Sequence, residues 1–100
     1  MTQTLMRALT IVNKKGLHAR ASARFVSVTE AHDARATVRR DGLEVSGDSI
    51  MGLMMLAAAP GTEIEISCEG TRGDEALEAL STLVGAGFDE ELCDPKPPNK

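Results

Sequence analysis

Aromatic surface is nearly absent: the 100 residues hold two phenylalanines and no tryptophan or tyrosine. Bases of single-stranded nucleic acid ordinarily stack on such rings, so that platform is missing. A surplus of positive charge is missing as well. Eleven Lys and Arg stand against fifteen Asp and Glu, for a net charge of −4. Nucleic-acid binders ordinarily show a basic balance, and no nucleic-acid partner is expected. Cysteine occurs only as Cys68 and Cys93, at no metal-ligand spacing, so neither a metal site nor an oxidising compartment is called for. No apolar run nears the ~20 residues that span a bilayer. The opening stretch "MTQTLMRALTIV" sets Arg7 among its apolar residues and has no small-residue cleavage pattern. The expectation is a cytoplasmic protein with no membrane partner and no cofactor.

What is there suits one small domain. Such a chain has little room for a deep enclosed pocket, which puts any chemistry near the surface. Leu5 to Val12 reads as a strand, with Leu5, Leu9 and Ile11 set against Arg7 and Thr10. From Ala19 the period changes: Ala21, Ser22, Phe25, Val26 and Thr29 fall on one helical face, with Arg20, Arg24 and Ser27 opposite. That helix is expected to end near Ala31. "ARATVRR" and "LEVSG" read as strands joined by Asp41-Gly42, a two-residue hairpin signal. A short helix follows over "DSIMGLMMLAAA", capped by Asp48 or Ser49 and stopped by Pro60-Gly61. "TEIEISCE" alternates strictly, with Ile64, Ile66 and Cys68 on the buried side. "GDEALEALSTLVGAG" is helical, with acids at its start, an apolar set of Leu77, Leu80, Leu83 and Val84, and glycines at its end. The order β-α-β-β-α-β-α predicts an α+β open-faced sandwich, a four-stranded sheet with three helices on one face. Residues 1–88 are expected to form the domain, and residues 89–100, with three prolines, a flexible tail.

One position breaks the local rules. "GLHARAS", Gly16 to Ser22, places His18 where a helix usually starts with serine, threonine, aspartate or asparagine. The first turn of a helix carries N–H groups without intrahelical partners, and with the macrodipole they form an anion site. Arg20 and Arg24 follow on one face, where the dipole disfavours cations, and Lys14 and Lys15 precede. An anion arriving at His18 would compensate this unfavourable local charge. A neutral imidazole is a nucleophile that forms covalent intermediates. A phosphoryl group is the anion that fits best, because its transfer needs positioning and charge stabilisation rather than a large pocket. The N–H groups of Ala19 and Arg20 are the expected backbone donors.

"NKKGLHARAS" followed by "FV", and later "GDSIMGLMMLAAAPGTEIEI", resemble the HPr phosphocarrier family of the bacterial phosphotransferase system. The resemblance runs from about Leu5 to Gly87, and "HARAS" is similar to its nitrogen-related NPr branch. It implies that His18 accepts phosphate on Nδ1 from enzyme I and passes it to an enzyme IIA-type protein. It further implies that Arg20 steadies the phosphoryl group and that Ser49 matches a serine which a kinase/phosphorylase modifies in some bacteria. Many members carry proline at the position of Ala21, so this chain keeps one more N–H in the first turn.

"SIMGLMML" is apolar on all sides, although a helix on a sheet buries only one. The resemblance turns Leu53 and Leu56 inward and leaves Ile50, Met51 and Met54 outward beside His18, where methionine suits a surface that meets several partners. Leu17 and Arg24 complete the expected docking surface. His32 is expected to be a surface or capping residue, Cys68 a buried inert thiol and Cys93 an exposed one. A monomeric phosphoryl carrier, rather than a turnover enzyme, is the leading expectation. The alternative is a regulatory module of the same fold that binds partners without taking phosphate. A small RNA-binding domain is disfavoured by the charge, the lack of aromatics, and Glu63, Glu65 and Glu69 on the open sheet face.

Overall fold

The computed structural model describes residues 5–89. The tail after Asp89, with Cys93, lies outside the described residues. Four strands and three helices follow in order: β1 (Leu5–Thr10), α1 (Ala19–Ala31), β2 (Arg35–Arg40), β3 (Leu43–Ser46), α2 (Ile50–Met55), β4 (Glu63–Glu69) and α3 (Gly73–Gly85). A 3-10 turn, Gly87–Asp89, ends the described chain. The strands form one antiparallel sheet in the order β1-β4-β2-β3.

Alternation along the strands decides which face is buried. On β4, Ile64, Ile66 and Cys68 are buried, and on β2, Ala36 and Val38. Register sets Ile66 opposite Val38 and Cys68 opposite Ala36, so these side chains form one apolar layer. The helices supply the other layer: Ala21, Phe25 and Val26 from α1, Leu53 from α2, and Ala76, Leu77, Leu80 and Val84 from α3. The opposite face of the sheet meets water. There Arg39 reaches Glu44 at 2.7 Å and Glu65 at 2.9 Å, exposed pairs that contribute little to stability. Burial pushes the Cys68 thiol up from its ordinary pKa, in keeping with an inert core residue.

The hairpin between β2 and β3 turns at Asp41 (φ 50°) and Gly42 (φ 82°). Positive φ at both residues matches the right-handed twist of the flanking strands. The predicted inward set of α1 is its buried set, residue for residue: Ala21, Ser22, Phe25, Val26 and Thr29. His32 caps that helix at its C-terminal end, its Nδ1 2.8 Å from the Val28 carbonyl oxygen.

Three boundaries differ from expectation. β1 stops at Thr10, and Ile11 beyond it is fully buried, its N–H donating to the Thr62 carbonyl at 2.8 Å. α2 is shorter than "DSIMGLMMLAAA" suggests. Bonds from Leu56 N–H to Leu53 and from Ala57 N–H to Met54 tighten its last turn, and Ala57 takes φ 53°. The chain thereby leaves the helix before the alanines end, and no sequence signal marks that exit. The turn at Gly87–Asp89 was not expected. It buries Phe88 completely, with Phe88 and Asp89 at positive φ.

The two sides of α2 should respond differently to truncation. Leu53→Ala removes a fully buried side chain and is expected to cost about 2–5 kcal/mol. Met51→Ala, on an exposed position, should stay within about 0.5 kcal/mol. Urea unfolding of both variants checks this, and equal losses would mean that the inward and outward sides are misassigned.

Candidate functional site

The turn leading into α1 is braced from several directions. Asn13 is fully buried, and its Nδ2 donates to the Gly16 carbonyl at 2.8 Å. Gly16 takes φ 66°, where L side chains are strained. A Cβ there would also lie 2.3 Å from the Ala58 carbonyl oxygen, so only glycine fits. The Leu17 N–H donates to that same carbonyl at 3.0 Å. The Ser22 hydroxyl, buried, donates to the Leu17 carbonyl at 3.3 Å. The segment after α2 therefore supports the segment before α1.

His18 emerges from this support as the N-cap of α1, with extended backbone (φ −78°, ψ −176°). Its carbonyl accepts the first helical bond, from Ser22 N–H at 2.9 Å. Its side chain caps as well: the Arg20 N–H donates to Nδ1 at 3.2 Å. An aspartate or serine oxygen ordinarily fills that role. The hydrogen bond has a chemical consequence. Nδ1 is the acceptor, so the neutral ring carries its proton on Nε2 and directs a nitrogen lone pair at the helix start. The ring is half-buried, at the surface rather than inside the core.

The surroundings are cationic. Lys14, Lys15 and Arg20 are exposed, and the first turn of α1 holds no acidic residue. Among the described residues the Arg20 guanidinium makes no ion pair. Each cation at a helix start is unfavourable by about 0.3–1 kcal/mol, an effect that negative charge delivered to Nδ1 would reverse. Among the described residues no cluster of His, Cys, Asp or Glu suits a metal ion, and no helix is long and apolar enough to cross a membrane.

Residues 5–86 match the family profile described as "PTS HPr component phosphorylation site". The chain belongs to the HPr phosphocarrier family. It is a component of the phosphotransferase system by that membership, and a phosphocarrier rather than a catalytic enzyme. The chain is 48% identical to the phosphocarrier protein HPr of Pseudomonas aeruginosa over 83 residues, which cover 82% of this chain and 92% of that one. It is 36% identical to the phosphocarrier protein NPr of Escherichia coli over 89 residues, 88% of this chain and 99% of that one. The crystal structure of HPr-C-His from Thermoanaerobacter tengcongensis superposes with a TM-score of 0.83 at 38% identity, covering 88% of this chain and 99% of that chain. The expected fold and family both stand.

The remaining candidates divide. Ser49, not Asp48, caps α2: its Oγ accepts the Gly52 N–H at 3.0 Å. Ile50, Met51 and Met54 are exposed, and Met55, which was not expected, is exposed too. Leu17 requires correction. It was expected on the docking surface, yet its side chain is buried in the core, while its N–H donates to the Ala58 carbonyl. Arg24 is half-buried and donates from Nη1 to the Phe88 carbonyl. It ties α1 to the turn after α3 instead of projecting alone. Sequence reasoning missed Asn13, Ser22 and Ala58 as supports. The asparagine before a glycine turn was a readable signal; the Ala58 carbonyl had none.

Proposed function

We propose that the chain carries a phosphoryl group on His18 Nδ1, accepting it from enzyme I and passing it to an enzyme IIA-type protein in the cytoplasm, and that it acts as a monomer. The observation that supports this most is His18 as N-cap, its Nδ1 facing the Arg20 N–H. In the acceptor step the Nδ1 lone pair attacks phosphorus while the donor's bond to phosphorus breaks. The Arg20 N–H moves from Nδ1 to a phosphoryl oxygen, and the N–H of Ala19 lies in the same first turn. Helix dipole and guanidinium both favour the arriving charge. In the return step the Nδ1–phosphorus bond breaks as an acceptor nucleophile attacks. A proton on Nε2 lets the ring depart as neutral imidazole. No pocket is needed, since positioning and charge stabilisation carry this reaction.

The exposed side of α2, Ile50, Met51 and Met54, is the docking surface in this reading; α2 packs against α1, whose cationic start suits acidic partner surfaces. Ser49 is its regulatory position, where a kinase/phosphorylase would place a second phosphate. That phosphate would suit the helix start but put negative charge on the docking surface.

Incubation with phosphoenolpyruvate and enzyme I should add one phosphoryl group by mass, removed by acid and retained in alkali. His18→Ala should abolish the gain. No gain in the unaltered chain favours the partner-binding module that never takes phosphate, and a gain that survives His18→Ala refutes the assignment of the acceptor. Ser49→Asp should fold normally yet accept phosphate roughly tenfold more slowly or worse, as a like charge at an interface predicts; unchanged transfer kinetics would remove the regulatory role.

A further inference from the structure

Three of the five methionines in the chain fall within the six residues of α2. Met51 is 70% exposed, Met55 66% and Met54 41%. Their number exceeds what the core requires of this helix, since Leu53 is its only buried residue. Leu56, directly after it, supplies the next inward contact. Outward-facing thioethers lie in reach of small oxidants, whereas the Cys68 thiol is fully buried.

We propose that the outward side of α2 is an oxidation site, at which peroxide converts Met51, Met54 and Met55 to sulfoxides and reversibly weakens docking. This rests on the reading of that side as the docking surface. In the step, the thioether sulfur attacks one peroxide oxygen and the O–O bond breaks. Sulfur is oxidised by two electrons, the peroxide is reduced, and the second oxygen leaves as water. The reverse step takes two thiols of a reductase, which become a disulfide as the sulfoxide oxygen departs as water.

The consequence follows from the change in side chain. A thioether is apolar and adapts to different partners. A sulfoxide is polar and chiral, and it disrupts methionine-rich interfaces. Three such changes on one short helix would replace an apolar contact area by polar groups that a partner must desolvate. His18 and its supporting turn would remain intact, so the chain would stay folded while transfer slowed. Met6 provides an internal comparison. It is 53% exposed and lies on β1 opposite Ser67, on the water-facing side of the sheet away from the helices. Its oxidation should leave docking alone.

The test treats the whole chain with dilute hydrogen peroxide and then with dithiothreitol, which returns disulfides and sulfenic acids to thiols. Peptide mass mapping locates the added oxygens, and the rate of phosphoryl transfer from enzyme I is compared with the untreated chain. Oxygen on Met51, Met54 and Met55, a transfer rate reduced tenfold or more, and recovery with methionine sulfoxide reductases are expected. In the triple variant Met51→Leu, Met54→Leu, Met55→Leu, treatment should oxidise Met6 and leave that variant's own untreated rate unchanged. The proposal falls if the α2 methionines stay unoxidised, if their oxidation leaves the rate unchanged, or if the triple variant slows equally on treatment. An unoxidised Met51→Gln, Met55→Gln variant separates the two layers. Its slow transfer upholds the docking surface even where oxidation fails, and its wild-type rate overturns the docking reading itself.

Discussion

A single backbone hydrogen bond, from the Arg20 N–H to Nδ1 of His18, organises the site. It makes an imidazole do the work of a helix cap, and it fixes which ring nitrogen is the acceptor. A serine or aspartate would cap as well or better, but neither presents a neutral nitrogen lone pair at the helix start. A histidine at this position gives up some helix stability. It is tolerated because the turn before it is held by other means: the buried amide of Asn13, the left-handed Gly16 and the Ser22 hydroxyl.

Those supports connect the site to the rest of the fold. The Ala58 carbonyl, just past α2, receives the Leu17 N–H and leaves no room for a side chain at Gly16. Leu53, Leu56 and Ala58 are all buried in the core that also holds Phe25 and Leu80. Packing therefore fixes the height of α2 and of the His18 turn from the same layer. The helices occupy one face of the sheet, and α1, which His18 caps, packs against α2. The opposite sheet face, with Arg39 between Glu44 and Glu65, is left to solvent.

Much of this was legible in the residues. Alternation in "TEIEISCE" and the helical spacing of Phe25 and Val26 identify the faces that the structure buries, because burial is what those periods encode. Asp41-Gly42 specifies its turn through positive φ. His18 stood out because it violates a capping preference among cations. The inward side of α2 was not legible from pattern alone, since every position there is apolar; the resemblance chose Leu53 and Leu56, and both are buried. What stayed hidden depends on contacts distant in sequence. The Leu17 N–H bonds a carbonyl 41 positions away and its side chain joins the core, Arg24 meets Phe88 64 positions on, and α2 ends at residues with no breaker among them.

The central claim concerns one atom, so the most direct measurement observes that atom. The ring nitrogen resonances of His18 in 15N-labelled protein, recorded before and after phosphoryl transfer, report it. The account predicts Nδ1 as the hydrogen-bond acceptor and the ring proton on Nε2 beforehand. Afterwards it predicts coupling to phosphorus on Nδ1, together with a large change in the Arg20 amide resonance. Phosphorus on Nε2, or an Arg20 amide indifferent to the transfer, would contradict it.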